Sequence, residues 1–324
     1  MFNPFAWLAV FLRNQKQIRQ KYSYDIVVLE LGTDGPGQIQ EFKKYLQLEI
    51  GVVTSITPEH MENFADLDAV AKEELQIVQM SSLVLANKDL VDGKYLKNLA
   101  DTLTYAVNTA ADFSPSNLGV GTDFSEPELY SRLAAAAVAH KLGMLPADIT
   151  KGMASIKPVP GRMQKLAGIN GSTIIDDSYN ASPEAVKLAL NSLYKMKTPQ
   201  KIAVLGNMNE LGKYSEVLHK EVGELCDPKQ LSLVITIGPD ANKFLASAAV
   251  AKGCEVKQFD SPYEAGEYIK PLVKTGAVIL VKGSQNKVFA EETIKSLLAD
   301  QADVAKLVRQ DDFWMNVKKK AFNK

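Results

Sequence analysis

Short apolar runs punctuate the chain at residues 26–29, 51–56, 83–86, 174–175, 202–205, 233–237 and 277–281. Strands that read as near-continuous apolar stretches are buried on both faces, as in a parallel sheet covered by helices. Between the runs, apolar positions recur at helical spacing over residues 67–80, 126–142, 182–196, 215–225 and 291–299. Gly143 and Pro146 close the second of these helices, and Ser182-Pro183 supplies an N-cap and an N1 proline for the third. The alternation predicts an α/β protein. Lys157-Pro158-Val159-Pro160-Gly161 forbids a continuing helix and predicts a boundary, giving domains at 1–157 and 158–324. The tail 311–324, with Lys318-Lys319-Lys320, reads as a solvated helix end that frays.

Composition narrows the class. The 324 residues carry 37 basic and 38 acidic side chains, a net charge of −1, which leaves no electrostatic footprint for nucleic acid. The apolar run 5–12 is far shorter than the roughly 20 residues of a membrane span and lacks the flanks of a signal peptide. Two cysteines, Cys226 and Cys254, make neither a disulfide framework nor a four-thiolate zinc site, so a cytoplasmic setting is expected.

In open parallel sheets, ligands bind beyond the carboxyl ends of the strands. Those ends carry Glu30 through Gly37, then Thr57-Pro58-Glu59-His60, Asn87-Lys88-Asp89, Asp176 through Asn180, Gly206 through Glu210, and Lys282-Gly283-Ser284. Carboxylates, an imidazole, amides and glycines at successive strand ends suit a hard metal ion and phosphates. Turn residues and helix caps are the plainer reading of any one segment.

Five segments then resemble the Mur ligases, in the right order. They are Val28-Leu29-Glu30-Leu31-Gly32 through Ile39, Gly51 through His60 with Phe64 and Val70–Glu73, and Pro160-Gly161-Arg162-Met163. Ile175 through Pro183, and Val204 through Gly212 with His219 and Val281 through Ser284, complete the set. The resemblance implies a central parallel-sheet ATPase-like domain, truncated at its N-terminus, followed by a Rossmann-like C-terminal domain. It further implies ATP-dependent amide ligation through an acyl phosphate, with ATP and Mg²⁺ as cofactors. The Asp-Asp-Ser-Tyr-Asn and Leu-Gly-x-Met-x-Glu-Leu-Gly forms resemble the branch that joins D-alanyl-D-alanine to a UDP-muramoyl peptide in building peptidoglycan. By family position, Glu30 and His60 bind metal. Arg162, Asp177 and Asn180 face the nucleotide, with Asp177 accepting from ribose hydroxyls, and Lys282, Gly283 and Ser284 contact the substrate.

The chain also departs from the family. No Gly-x-x-Gly-Lys-[Ser/Thr] phosphate loop precedes the first motif, and Pro36 removes an N–H from the one Gly-x-Gly nearby. The chain therefore reads as a ligase that begins part-way through its ATP-binding domain and is inactive alone. A misassigned start explains this, as does a separate polypeptide carrying the loop. Exposed apolar surface is then expected, covered in part by Phe5, Trp7, Leu8, Val10 and Phe11. Glu74 stands where the branch has a carbamylated lysine; alternatively Lys72 is the modified residue, or Glu73 and Glu74 are a solvated helix face. Asn207 and Gln285 replace a common Asp and Arg, which leaves the peptide substrate open. A folylpolyglutamate- or cyanophycin-synthetase-like ligase and a non-catalytic binding homologue are the competing readings.

Overall fold

The computed structural model describes residues 4–21, 23–97, 99 and 101–322. They fall into two compact units, 1–32 and 33–324.

The first unit holds the helix Pro4–Ile18, in which no residue is buried. Phe5, Trp7, Leu8, Val10 and Phe11, expected to cover apolar surface, are all exposed. The strand expected at 26–29 does not form, and Ile26, Val27, Val28 and Leu29 are exposed. A parallel strand exists only through its neighbours' hydrogen bonds, and this run enters no ladder among the described residues.

The second unit contains two sheets. Strands β1 (Leu48–Val53), β2 (Ser81–Asn87) and β3 (Thr102–Tyr105) form a parallel sheet in that order. The helix Leu67–Glu74 continues as a 3₁₀ segment over Leu75–Met80. The helix Glu126–Lys141 has Ser125 and Glu128 as its capping box and covers the sheet with Leu129, Leu133, Ala136 and Ala137. The segment 157–161 then leads to the second sheet.

That sheet comprises β4 (Gln164–Ala167), β5 (Thr173–Asp177), β6 (Lys201–Gly206), β7 (Leu233–Ile237), β8 (Val256–Phe259) and β9 (Val278–Lys282). Their spatial order is β4-β5-β9-β6-β7-β8, with only β4 antiparallel. One face packs against the helices Pro183–Lys195 and Ser215–Glu224 through Leu190, Leu193 and Val222. The other packs against Pro262–Ile269 and Glu291–Lys295 through Ile269 and Ile294. Central strands β6, β7 and β9 are buried throughout, which is why they read as unbroken apolar runs.

The tail corrects its sequence reading. The helix Asp312–Phe322 is docked, with Lys318 fully buried between Glu291, at 2.7 Å, and Glu292, at 2.6 Å. A lysine in a basic run is buried here because two carboxylates and the Arg309 carbonyl receive its ammonium group. The last two residues of the tail lie outside the described residues.

Candidate functional site

At the carboxyl edge of the second sheet, Asp177 and Lys282 are register partners on adjacent parallel strands. Their side chains form a buried ion pair, Lys282 Nζ to Asp177 Oδ2 at 2.6 Å. Asp177 Oδ1 accepts from the Met163 N–H at 3.1 Å, and Lys282 Nζ also donates to the Asn180 carbonyl at 2.9 Å. Asp177, expected to be open to ribose hydroxyls, thus has both oxygens engaged. Lys282, expected against substrate, is pinned inside the protein. Ser284 is likewise buried; its hydroxyl accepts from Asn209 N–H and donates to the Ala181 carbonyl. A Cβ on Gly283 would stand 2.8 Å from Val288 Cγ1, so the missing side chain lets Val288 pack close against the strand end. What remains presented outward is Asn180, which is exposed, and Arg162, whose guanidinium lies 4.3 Å from the Tyr179 ring centroid.

The buried ions behind this edge include one residue that no motif revealed. Arg309 pairs with Glu291 through two hydrogen bonds, at 2.8 and 2.6 Å, and donates to the carbonyls of Ser178 and Tyr179. Arg309 lies far beyond the last motif, and only its spatial partners disclose it. Asp176, on the other face of β5 from Asp177, is 0% exposed, and burial pushes its carboxyl up to about 6.

His60 sits where the two sheets' loops meet. Its Nδ1 is 2.7 Å from Glu210 Oε2 and 3.7 Å from Asp34 Oδ1. Both His60 and Glu210 adopt left-handed backbone, φ 51° and 64°, a costly conformation for such side chains. The seam is reinforced by Glu62 N–H to the Glu210 carbonyl at 3.0 Å and Tyr214 hydroxyl to the Ala65 carbonyl at 2.6 Å. Met61, Phe64 and Val70 pack together beside it, with Tyr214 against them. Glu210 was legible within its motif, although nothing in the sequence linked it to His60.

The helix Leu67–Glu74 separates three residues that the sequence left undecided. Lys72 is exposed. Glu73, far from being solvated, is buried and accepts from the Gly37 and Ile39 N–H groups at 2.6 Å each. It thereby occupies the N–H groups beside Gly35-Pro36-Gly37. Glu74 is half-buried; burial first, then the charges of Glu59 and Glu73, push its carboxyl up to about 7, while His60 opposes this. Glu30 belongs to the other unit, outside any helix or strand, and is exposed.

Among the described residues, no three metal-capable side chains converge to cage an ion. A closed structural site of the zinc type is therefore not built here. Mg²⁺ keeps several waters and takes one or two protein ligands. His60, with hard carboxylates beside it and with Glu74 half-buried and in no ion pair among the described residues, suits that second kind of site.

Sequence comparison decides the family. The Mur ligase middle domain matches residues 12–137, and the Mur ligase glutamate ligase domain matches residues 161–285. The chain belongs to the Mur ligase family. A UDP-N-acetylmuramoyl-tripeptide–D-alanyl-D-alanine ligase of Bacillus subtilis is 26% identical over 299 residues, covering 85% of this chain and 64% of its own. The chain thus spans less than two thirds of that relative. The MurF ligase of Thermotoga maritima, solved in complex with ADP, superposes with a TM-score of 0.69 at 25% identity, covering 85% of this chain and 69% of that one. A folylpolyglutamate synthase/dihydrofolate synthase of Yersinia pestis gives 0.59 at 20% identity, over 86% and 67% of the two chains. The Mur ligase fold by itself therefore does not choose among amide ligases. No helix of the described residues is long and apolar enough to cross a membrane.

Proposed function

We propose that this Mur ligase chain, divided near 157–161 into middle-domain and C-terminal parts, acts as an ATP-dependent ligase. That ligase joins D-alanyl-D-alanine to a UDP-muramoyl peptide in the cytoplasm. The observation that carries the reading is the likeness to D-alanyl-D-alanine ligases across both domains. The Asp176–Asn180 loop held against Lys282-Gly283-Ser284 supports it. In this reading Arg162 and Asn180 contact the nucleotide, and Asp177 acts from behind by fixing Lys282 and the Met163 backbone. Ser284 fixes the loop that carries Asn209 and Glu210. His60 and Glu74 would hold Mg²⁺, with Glu74 rather than Lys72 in the place of the carbamylated lysine. When bound, the ion would neutralise phosphate oxygens while the substrate carboxylate takes the γ-phosphoryl group.

The sequence supplies no phosphate loop within its 324 residues. Phosphoryl transfer depends on positioning and charge stabilisation, so the polypeptide alone is expected to bind Mg-ATP no tighter than roughly millimolar and to form no product. Calorimetry with Arg162→Ala and Asn180→Ala tests the nucleotide assignment, because both side chains can be removed without stranding a buried charge. Equal Mg-ATP binding by wild type and both variants would refute it. Turnover of UDP-muramoyl-tripeptide, ATP and D-alanyl-D-alanine by the chain alone would refute the requirement for a loop.

A further inference from the structure

Glu210 reaches across the seam from the β6 end to the imidazole at the β1 end, and its oxygen meets Nδ1, not Nε2. A carboxylate only accepts, so an oxygen 2.7 Å from Nδ1 favours the proton on that nitrogen. That leaves Nε2 as the bare nitrogen of neutral His60. Among the described residues, Nε2 makes no hydrogen bond or ion pair. We infer that Glu210 is the positioning residue for His60: it fixes the Nδ1–H tautomer and turns Nε2 outward as a ligand for a divalent cation. The inference rests on the reading of His60 as a metal-binding residue. A carboxylate on the far nitrogen of a ligating histidine orients the ring and makes it a better donor, and losing it costs 10–100-fold in metal affinity.

The loop that carries Glu210 is set before any ion arrives. Buried His219 accepts the Met208 N–H on Nε2 at 3.0 Å, and its Nδ1 lies 2.8 Å from the Ser215 carbonyl. Burial lowers the pKa of His219, which keeps it neutral for that double role. The Asn209 N–H is held by Ser284 and its amide by the Asn286 carbonyl, at 2.8 and 2.7 Å. Glu210, next in the chain, therefore projects from a braced turn. Cation binding at the β1 end then depends on a side chain from the other sheet, so docking of the two halves and capture of the ion become one event. Asp34, at 3.7 Å from the same nitrogen and 81% exposed, is the weaker candidate for this role.

The tautomer and the affinity are measured separately on the full chain. Long-range proton–nitrogen NMR on ¹⁵N-histidine protein, well above the ordinary imidazole pKa of about 6.5, reads which ring nitrogen is protonated. His60→Gln assigns the signal. Wild type should show Nδ1–H at His60, Glu210→Ala should lose that preference, and Glu210→Gln should retain it, since the amide oxygen still accepts. Calorimetric titration with Mn²⁺ alone should then show 10–100-fold weaker binding for Glu210→Ala, a smaller loss for Glu210→Gln, and no change for Asp34→Asn. An Nε2–H tautomer in wild type, or one unmoved by Glu210→Ala, overturns the inference directly. So does Mn²⁺ affinity that depends on His60 but not on Glu210. Mn²⁺ affinity indifferent to His60→Gln overturns it through the metal reading, and the NMR result then shows that the tautomer was not the point of failure.

Discussion

Glu73 is the residue whose sequence context misleads most. It lies between charged neighbours on a helix, yet its carboxylate is buried and receives two backbone N–H groups from the 33–39 loop. Glu73→Ala leaves both donors unmatched, that of Ile39 in a buried position, a loss of about 1–3 kcal/mol, and Glu73→Gln, which keeps one acceptor, loses less. Urea unfolding measures both. Asp176 poses the opposite problem. Among the described residues its Oδ2 has no hydrogen-bond partner, and neither has Oε1 of Gln164, its cross-strand neighbour on β4. One proton on Asp176 would supply the donor that these two acceptors lack, in keeping with a carboxyl raised to about 6 from 3.8. The folded protein then holds a proton between about pH 4 and 6 that the unfolded chain releases. The stability linked to Asp176 is present below pH 4 and falls as the pH rises through 6. Relative to Asp176→Asn, wild type should lose on the order of 2–3 kcal/mol across that window. Parallel slopes for the two proteins would exclude a protonated Asp176.

At the scale of elements, the C-terminal helix braces the loop presenting Arg162's stacking partner, Tyr179. Arg309 holds the Ser178 and Tyr179 carbonyls while paired to Glu291, and Lys318 closes the same network. Removing one member of a buried ion cluster costs about 3–5 kcal/mol because the others are stranded. Arg309→Met should lose that much and speed amide exchange at Tyr179, whose N–H bonds to the Gly161 carbonyl. Unchanged exchange at Tyr179 would mean the loop is braced from elsewhere. The difference between this network and the strands marks what a sequence discloses. The run 233–237 becomes β7 residue for residue, because a strand buried on both faces is apolar at nearly every position, here all but Thr236. Val256–Phe259 was missed, since an edge strand with polar Lys257 and Gln258 carries no such run. The strand expected at 26–29 has the right composition and lacks the neighbour. Glu291, Arg309 and Lys318 look like surface charge because pairing across such separations leaves no periodic trace.

The whole molecule shows the same division at the seam. The strand-end motifs announced which loops carry polar chemistry, and the structure brings Asp177, Asn180, Lys282 and Ser284 together. Their spacing did not announce that Asp177 and Lys282 would neutralise each other, nor that His60 would face Glu210, 150 positions away. Gly212 marks the tightest point of that meeting. It sits at φ 52°, and a Cβ there would stand 2.8 Å from the Glu62 Cα. Backbone cannot yield as a side-chain tip can, so one methyl group becomes a doorstop. Gly212→Ala should hold the halves ajar while leaving every polar side chain of the site in place. Faster amide exchange at Glu62, with the two sheets still protected, would report it; unchanged exchange would show that the seam bends to accommodate the methyl. A chain propped open in this way would separate what each half does alone from what only their contact can do.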